Sequence, residues 1–217
     1  MYRKVSGFFR MVLHLCSSKN RNTLKKIVFE LTNKQDTYKQ KVFVLMVGYS
    51  KSGKTTLRKN NKMLKKLFNL STNDIHDQLN REFPFLKDDN TNDGEAYWER
   101  QFLTRIIRKR ALKKVLSQGF GVVNDSANLN RQERKRWLKM AKGYGYKTWI
   151  VWVTCSEYIL LKRLREADNK LAASGKKRTW VSLYNNVQKK RFNPPLSREA
   201  DVVIRYKSQN HDSNTSF

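Results

Sequence analysis

The sequence predicts an α/β fold: three layers, with a parallel sheet of about five strands and helices on both faces. Three observations predict it. Short apolar runs alternate with longer stretches at helical spacing, the pattern of a parallel sheet with crossover helices. The first run, "KVFVLMV" at 41–47, is almost wholly apolar, as for a strand buried on both sides. The chain has 217 residues and no visible internal repeat, which fits one α/β domain with an appendage or at most two small domains.

Residues 1–41 read as a basic extension, in which Phe8, Phe9, Val12, Leu13 and Leu15 fit one face of an amphipathic helix. That helix either docks on the domain or meets a membrane or partner. After the strand at 41–47 a helix is expected from Lys54 to about Lys66. "LFNLS" (67–71) is a second short strand. Trp98, Phe102, Ile106, Leu112 and Leu116 lie near helical spacing, and Gly119 can end their helix. "FGVVND" (120–125) is a third strand. Asn130, three residues before Glu133, makes a capping-box-like helix start, and Gly143 gives that helix its stop. "TWIVWV" (148–153) is a fourth strand, Ser156 can cap the helix that follows, and "DVVIRY" (201–206) is the last strand. The polar tail, 207–217, predicts disorder. The domain proper is thus expected over 42–206.

Composition narrows the partners. There are 46 Lys and Arg against 18 Asp and Glu, a net charge of +28. Either the chain meets a polyanion, nucleic acid or an acidic surface, or Lys simply covers its solvated faces. Cys16 and Cys155 lie far apart and make neither a metal-ligand pattern nor a disulfide framework, so a reducing cytoplasm is expected. No stretch reaches the roughly 20 apolar residues of a membrane span, and "GFFRMVLHLC" does not read as a signal peptide.

The chemistry begins at "GYSKSGKTT", 48–56. Glycines let backbone N–H groups wrap phosphates without a Cβ in the way. A lysine reaches the β- and γ-phosphates and a hydroxyl holds Mg²⁺. Gly48 and Gly53 frame such a loop here, with Ser50, Lys51, Ser52 and Thr56 along it, Lys54 as the lysine and Thr55 as the hydroxyl. Asp125, at the end of the third strand, is placed to orient Mg²⁺ directly or through water, or to contact a substrate hydroxyl. The other reading of a lone strand-end Asp is a cap. Asn128 holds the turn or touches substrate. Arg131 and Arg134 contact phosphate or lie on a solvated helix face.

Two further stretches carry candidates. In "STNDIH", Asp74 is the candidate base for an acceptor hydroxyl, or caps the next helix, and His76 can position phosphate or substrate. In "RLREADNKLAASGKKR", Arg163, Arg165, Lys176, Lys177 and Arg178 are available as a lid over a transferred phosphate.

On these motifs the chain resembles the bacteriophage polynucleotide kinase family and the wider P-loop kinases around it, the AAA-type ATP-binding proteins, with zeta toxins as relatives. The resemblance rests on the loop, on "VVNDSANLNRQERKRWLKMAKGYGYK" and on "RFNPPLSREADVVI", and spans about 42–205. It implies transfer of the γ-phosphate of ATP, with Mg²⁺, to a hydroxyl: a polynucleotide 5′-hydroxyl, or a small molecule or sugar nucleotide as in the toxin relatives. It implies Lys54 and Thr55 at the donor and Asp125 near the acceptor. Lys51 stands where many relatives have Gly. The family's Asp-x-x-Arg pattern aligns with Asn73 and His76, so Asp74 serves after a one-residue shift. The lid Arg aligns with Ala167, leaving Arg165 or the 176–178 cluster. These departures also fit a catalytically weak nucleotide-binding module that binds nucleic acid.

Overall fold

The computed structural model describes residues 17–33, 38–86, 95–175, 177 and 179–208. The expectations for Phe8 to Leu15, Lys176, Arg178 and most of the tail lie outside them. By its contacts the chain divides into two compact units, Met1–Gln35 with Leu70–Val115, and Asp36–Asn69 with Leu116–Phe217.

In chain order the elements are α1 (Ser18–Thr32), β1 (Val42–Val47), α2 (Lys54–Asn60), β2 (Phe68–Ser71), α3 (Thr72–Glu82), α4 (Glu95–Ser117), β3 (Val122–Asp125), α5 (Arg131–Gly143), β4 (Lys147–Thr154), α6 (Glu157–Ala173), α7 (Trp180–Leu183) and β5 (Val202–Lys207). The five strands form one parallel sheet in the order β2-β3-β1-β4-β5. Val44 stands level with Val123 on one side and Trp149 on the other, and Ile150 with Val203.

Every residue of β1 is buried, as a central strand between two helical layers requires. Its alternate residues Val42, Val44 and Met46 join Leu57 of α2, Leu64, Leu67, Val123, Val151 and Val153 in one cluster. α5 packs on β1 and β4 with Trp137, Leu138 and Ala141 buried. The expected caps form: the Asn130 side chain accepts the Glu133 N–H at 3.1 Å, and Ser156 accepts that of Ile159 at 3.3 Å.

One boundary is corrected. The helix expected to reach Lys66 stops at Asn60, because Asn61 Oδ1 accepts the N–H groups of Met63 (3.0 Å) and Leu64 (2.9 Å) and starts a separate 3₁₀ turn, Leu64–Lys66.

In the other unit, α1 buries Leu24, Ile27, Val28 and Leu31 at helical spacing and packs on α3. Lys26 Nζ donates to Glu82 of α3 at 2.8 Å, and Lys114 of α4 lies 4.9 Å from the Phe29 ring centre. No helix among the described residues is long and apolar enough to cross a membrane.

Candidate functional site

The carboxyl ends of β1, β3, β4 and β5 deliver the residues of interest. β1 runs out at Val47 into the glycine loop. Gly48 donates its N–H to the Ala127 carbonyl at 3.1 Å. A Cβ on Gly48 would sit 2.5 Å from the Val153 carbonyl oxygen, so no side chain fits between β1 and β4 here. Gly53 has φ 101°, and its Cβ would meet Ser208 Oγ at 2.6 Å. Between them Lys51 takes φ 63°. That left-handed conformation costs a non-glycine residue about 1–2 kcal/mol.

α2 opens at Lys54, which is buried. Its ammonium donates to the carbonyls of Gly48 (2.9 Å) and Tyr49 (2.6 Å). Burial pushes its pKa down to about 8, against the opposing pull of Asp125. One residue on, Thr55 Oγ1 donates to Asp125 Oδ2 at 3.2 Å, and Arg58 Nε donates to the same oxygen at 3.1 Å. Thr56 is exposed beside them, and Ser52 is buried in the loop with its N–H on the Tyr49 carbonyl at 3.2 Å. The Thr55 hydroxyl and the Asp125 carboxylate are hard oxygen donors on one spot. That suits Mg²⁺, which takes few protein ligands and completes its shell with water and phosphate.

Of the basic candidates on α6, Arg163 reaches the loop: Nη1 donates to the Lys51 carbonyl and to Ser208 Oγ, both at 3.4 Å. Arg165, two residues on and hence about 200° round the helix, is exposed, as is Lys177. Cys155 lies near Lys54 and Arg163; burial still raises its pKa, so its thiol stays protonated at neutral pH.

Asn128 holds the turn. Its side-chain N–H groups reach the carbonyls of Met46 (2.8 Å), Asn124 (3.3 Å) and Ser126 (3.3 Å), at φ 46°. Arg134 is neither solvated nor free for phosphate: it is fully buried, with Nε 2.8 Å and Nη2 2.9 Å from the two Glu199 oxygens and Nη1 2.8 Å from the Leu129 carbonyl. Arg131 shares Glu199 at 3.2 Å. The "RFNPPLSREADVVI" stretch is thereby tied to the start of α5.

Asp74 and His76 belong to the first unit, on α3. The cap of α3 is Ser71, whose Oγ accepts the N–H groups of Asn73 (3.2 Å) and Asp74 (3.4 Å), so Asp74 sits in the first turn rather than at the cap. Burial, helped by Arg100, pushes His76 down to about 4, so its imidazole is neutral at pH 7.

The fold has counterparts in known proteins. The AAA domain family matches residues 43–195. The chain belongs to the AAA domain family. A chain of the PezAT chromosomal toxin–antitoxin system of Streptococcus pneumoniae shares its fold, with a TM-score of 0.53 at 15% identity, over 82% of this chain and 88% of that one. So does a candidate kinase from Chloroflexus aurantiacus, with a TM-score of 0.55 at 14% identity over 78% and 86%. No curated protein matches the chain in sequence.

Sequence reasoning missed several residues of this AAA domain that touch the loop or its supports. Gln188 bonds Ser50 twice, Trp180 lies against Lys51, and Tyr184 and Phe192 flank Tyr49. Asp168 accepts the N–H groups of Thr179, Trp180 and Val181 and so starts α7. The available signal was the spacing of Trp180, Tyr184, Gln188 and Phe192, one every fourth residue.

Proposed function

We propose that the chain is an ATP-dependent phosphotransferase of the P-loop kinase kind, and that its acceptor is a polynucleotide 5′-hydroxyl. The observation that supports ATP at this site most directly is the single cluster formed by the glycine loop, Lys54 and the Thr55–Asp125 pair. Backbone N–H groups of the loop and the Lys54 ammonium hold the β- and γ-phosphates. Thr55 and Asp125 are the residues to hold Mg²⁺, which when bound neutralises charge on the phosphates. Arg163, already on the Lys51 carbonyl, is within reach to share that work.

In the transfer, the acceptor oxygen bonds to the γ-phosphorus as the bond from phosphorus to the β-phosphate oxygen breaks, releasing ADP. The acceptor's proton goes to a carboxylate, and Asp74 is that base in our reading; an amide at Asn73 cannot take it. The charge of +28 supports a polyanionic acceptor.

The test is labelled ATP offered with 5′-hydroxyl RNA, 5′-hydroxyl DNA, nucleosides and sugars. Label on the polynucleotides alone, with Asp74→Asn slower by about 10²–10⁴ at unchanged ATP affinity, is the expected result. Binding to single strands should weaken with salt at a log–log slope of about −0.7 per phosphate engaged. Label on a sugar or nucleoside alone overturns the polynucleotide acceptor. ATP binding without transfer to any of them overturns the kinase.

A further inference from the structure

We infer that a row of four side chains, Trp180, Tyr184, Gln188 and Phe192, sets the shape of the phosphate loop, and that Gln188 is its central positioning residue. The inference rests on the nucleotide-site reading above and deepens it.

All four contact the three loop residues 49–51. The Lys51 ammonium lies 4.7 Å from the Trp180 ring centre. The Tyr184 ring stands edge-on to Tyr49, with centres 5.0 Å apart, and Phe192 meets Tyr49 from elsewhere, also at 5.0 Å. Gln188 is only 7% exposed, and its amide grips Ser50 with both ends. Oε1 accepts the Ser50 backbone N–H at 3.0 Å and Nε2 donates to Ser50 Oγ at 2.7 Å.

A regular α-helix could not keep this row in line. Each step of four residues advances about 40°, so three steps would carry Phe192 well away from the face of Trp180. Here Tyr184–Gln188 is a π-helical turn. Its i→i+5 bonding unwinds the helix locally and holds the row toward one target. The row is also fixed from outside. Asp168 caps the Trp180 end at 2.8, 2.8 and 3.0 Å. Glu157 accepts from Tyr184 at 3.1 Å and also from Lys189, and the Asn193 N–H donates to the Leu129 carbonyl at 3.0 Å.

The loop needs such support at Lys51. A lysine at φ 63° does not hold that conformation by its own preference, as a glycine would. The Gln188 clamp on Ser50 fixes the residue before it, Trp180 holds its side chain, and Arg163 holds its carbonyl. The row supplies through space what a glycine at this position would hold by its own backbone preference.

The experiment is Mg-ATP titration by calorimetry, with ATP KM and kcat, on the full chain and three variants. Gln188→Met keeps length and packing but loses both bonds, and should bind ATP about tenfold more weakly. KM should rise while kcat and the thermal midpoint stay near those of the unaltered chain. Ser50→Ala loses one bond and should fall between. Lys51→Gly added to Gln188→Met should recover most of the loss, because glycine accepts the left-handed conformation unaided; a merely structural defect would not be rescued this way. Unchanged ATP affinity in Gln188→Met, or no recovery on adding Lys51→Gly, overturns the inference alone. No ATP binding by the unaltered chain overturns the nucleotide site and this inference with it.

Discussion

The loop at 48–54 and the helical segment at 180–192 meet in space, yet they answer to different constraints. The loop's requirements are local. Gly48 has no room for a Cβ, Gly53 is left-handed, and a lysine and a hydroxyl must follow at once. Each requirement names a residue type at a fixed spacing. The segment's requirements come from elsewhere in the chain: an amide to meet Ser50 across 138 residues, an aromatic ring under Lys51 and a carboxylate at Asp168. Many side chains can serve such contacts in principle. A constraint on backbone conformation therefore leaves a pattern in sequence, and a constraint on packing partners leaves little.

Four substitutions or titrations press on this contrast, the largest first. Arg134→Ala should cost about 3–5 kcal/mol, because it leaves Glu199 without its buried partner and frees the stretch before β5. Chemical denaturation reads this directly. A loss below about 1 kcal/mol would mean that the distant supports matter no more than a surface pair.

Gly48→Ala should cost about 1–3 kcal/mol from overpacking. It should also abolish ATP binding, since the Val153 carbonyl is backbone and cannot step aside. Normal ATP affinity in a folded Gly48→Ala chain would show the loop to be less demanding than its geometry requires.

Asp168→Ala removes the acceptor of three N–H groups and should cost about 1–2 kcal/mol, the upper capping range. Asn at 168 should recover part of it. Thermal melts of the two variants decide between a cap and a merely buried charge; equal losses would exclude the cap.

The smallest effect is a pH dependence. Lys54 has its pKa pushed down to about 8 from 10.5 by burial, and phosphate favours its charged form. ATP affinity should be full below pH 8 and fall as pH rises through it, by about tenfold per unit beyond. The isothermal Kd at pH 7, 8 and 9 measures it. Lys54→Arg, charged throughout, should flatten whatever dependence remains.

The parallel sheet was most legible at β1, a central strand buried along its whole length and therefore wholly apolar. The caps at Asn130 and Ser156 were legible because they act over three residues. Of the two readings of Arg134, neither anticipated a buried pair with Glu199, 65 residues away. An arginine on a predicted helix looks the same whether it faces water or a carboxylate. Similarly, Ser71 rather than Asp74 caps α3: both are good capping residues, and only the backbone conformation tells them apart.

By itself the sequence determined the strand–helix alternation, the position of the glycine loop and the identity of the groups at its end, because hydrophobic periodicity and backbone sterics act between near neighbours. The order β2-β3-β1-β4-β5, the contact of Thr55 with Asp125 and the grip of Gln188 on Ser50 were decided only in the tertiary structure. These join residues far apart in the chain, and their partners are chosen by distance and burial, which no local pattern encodes.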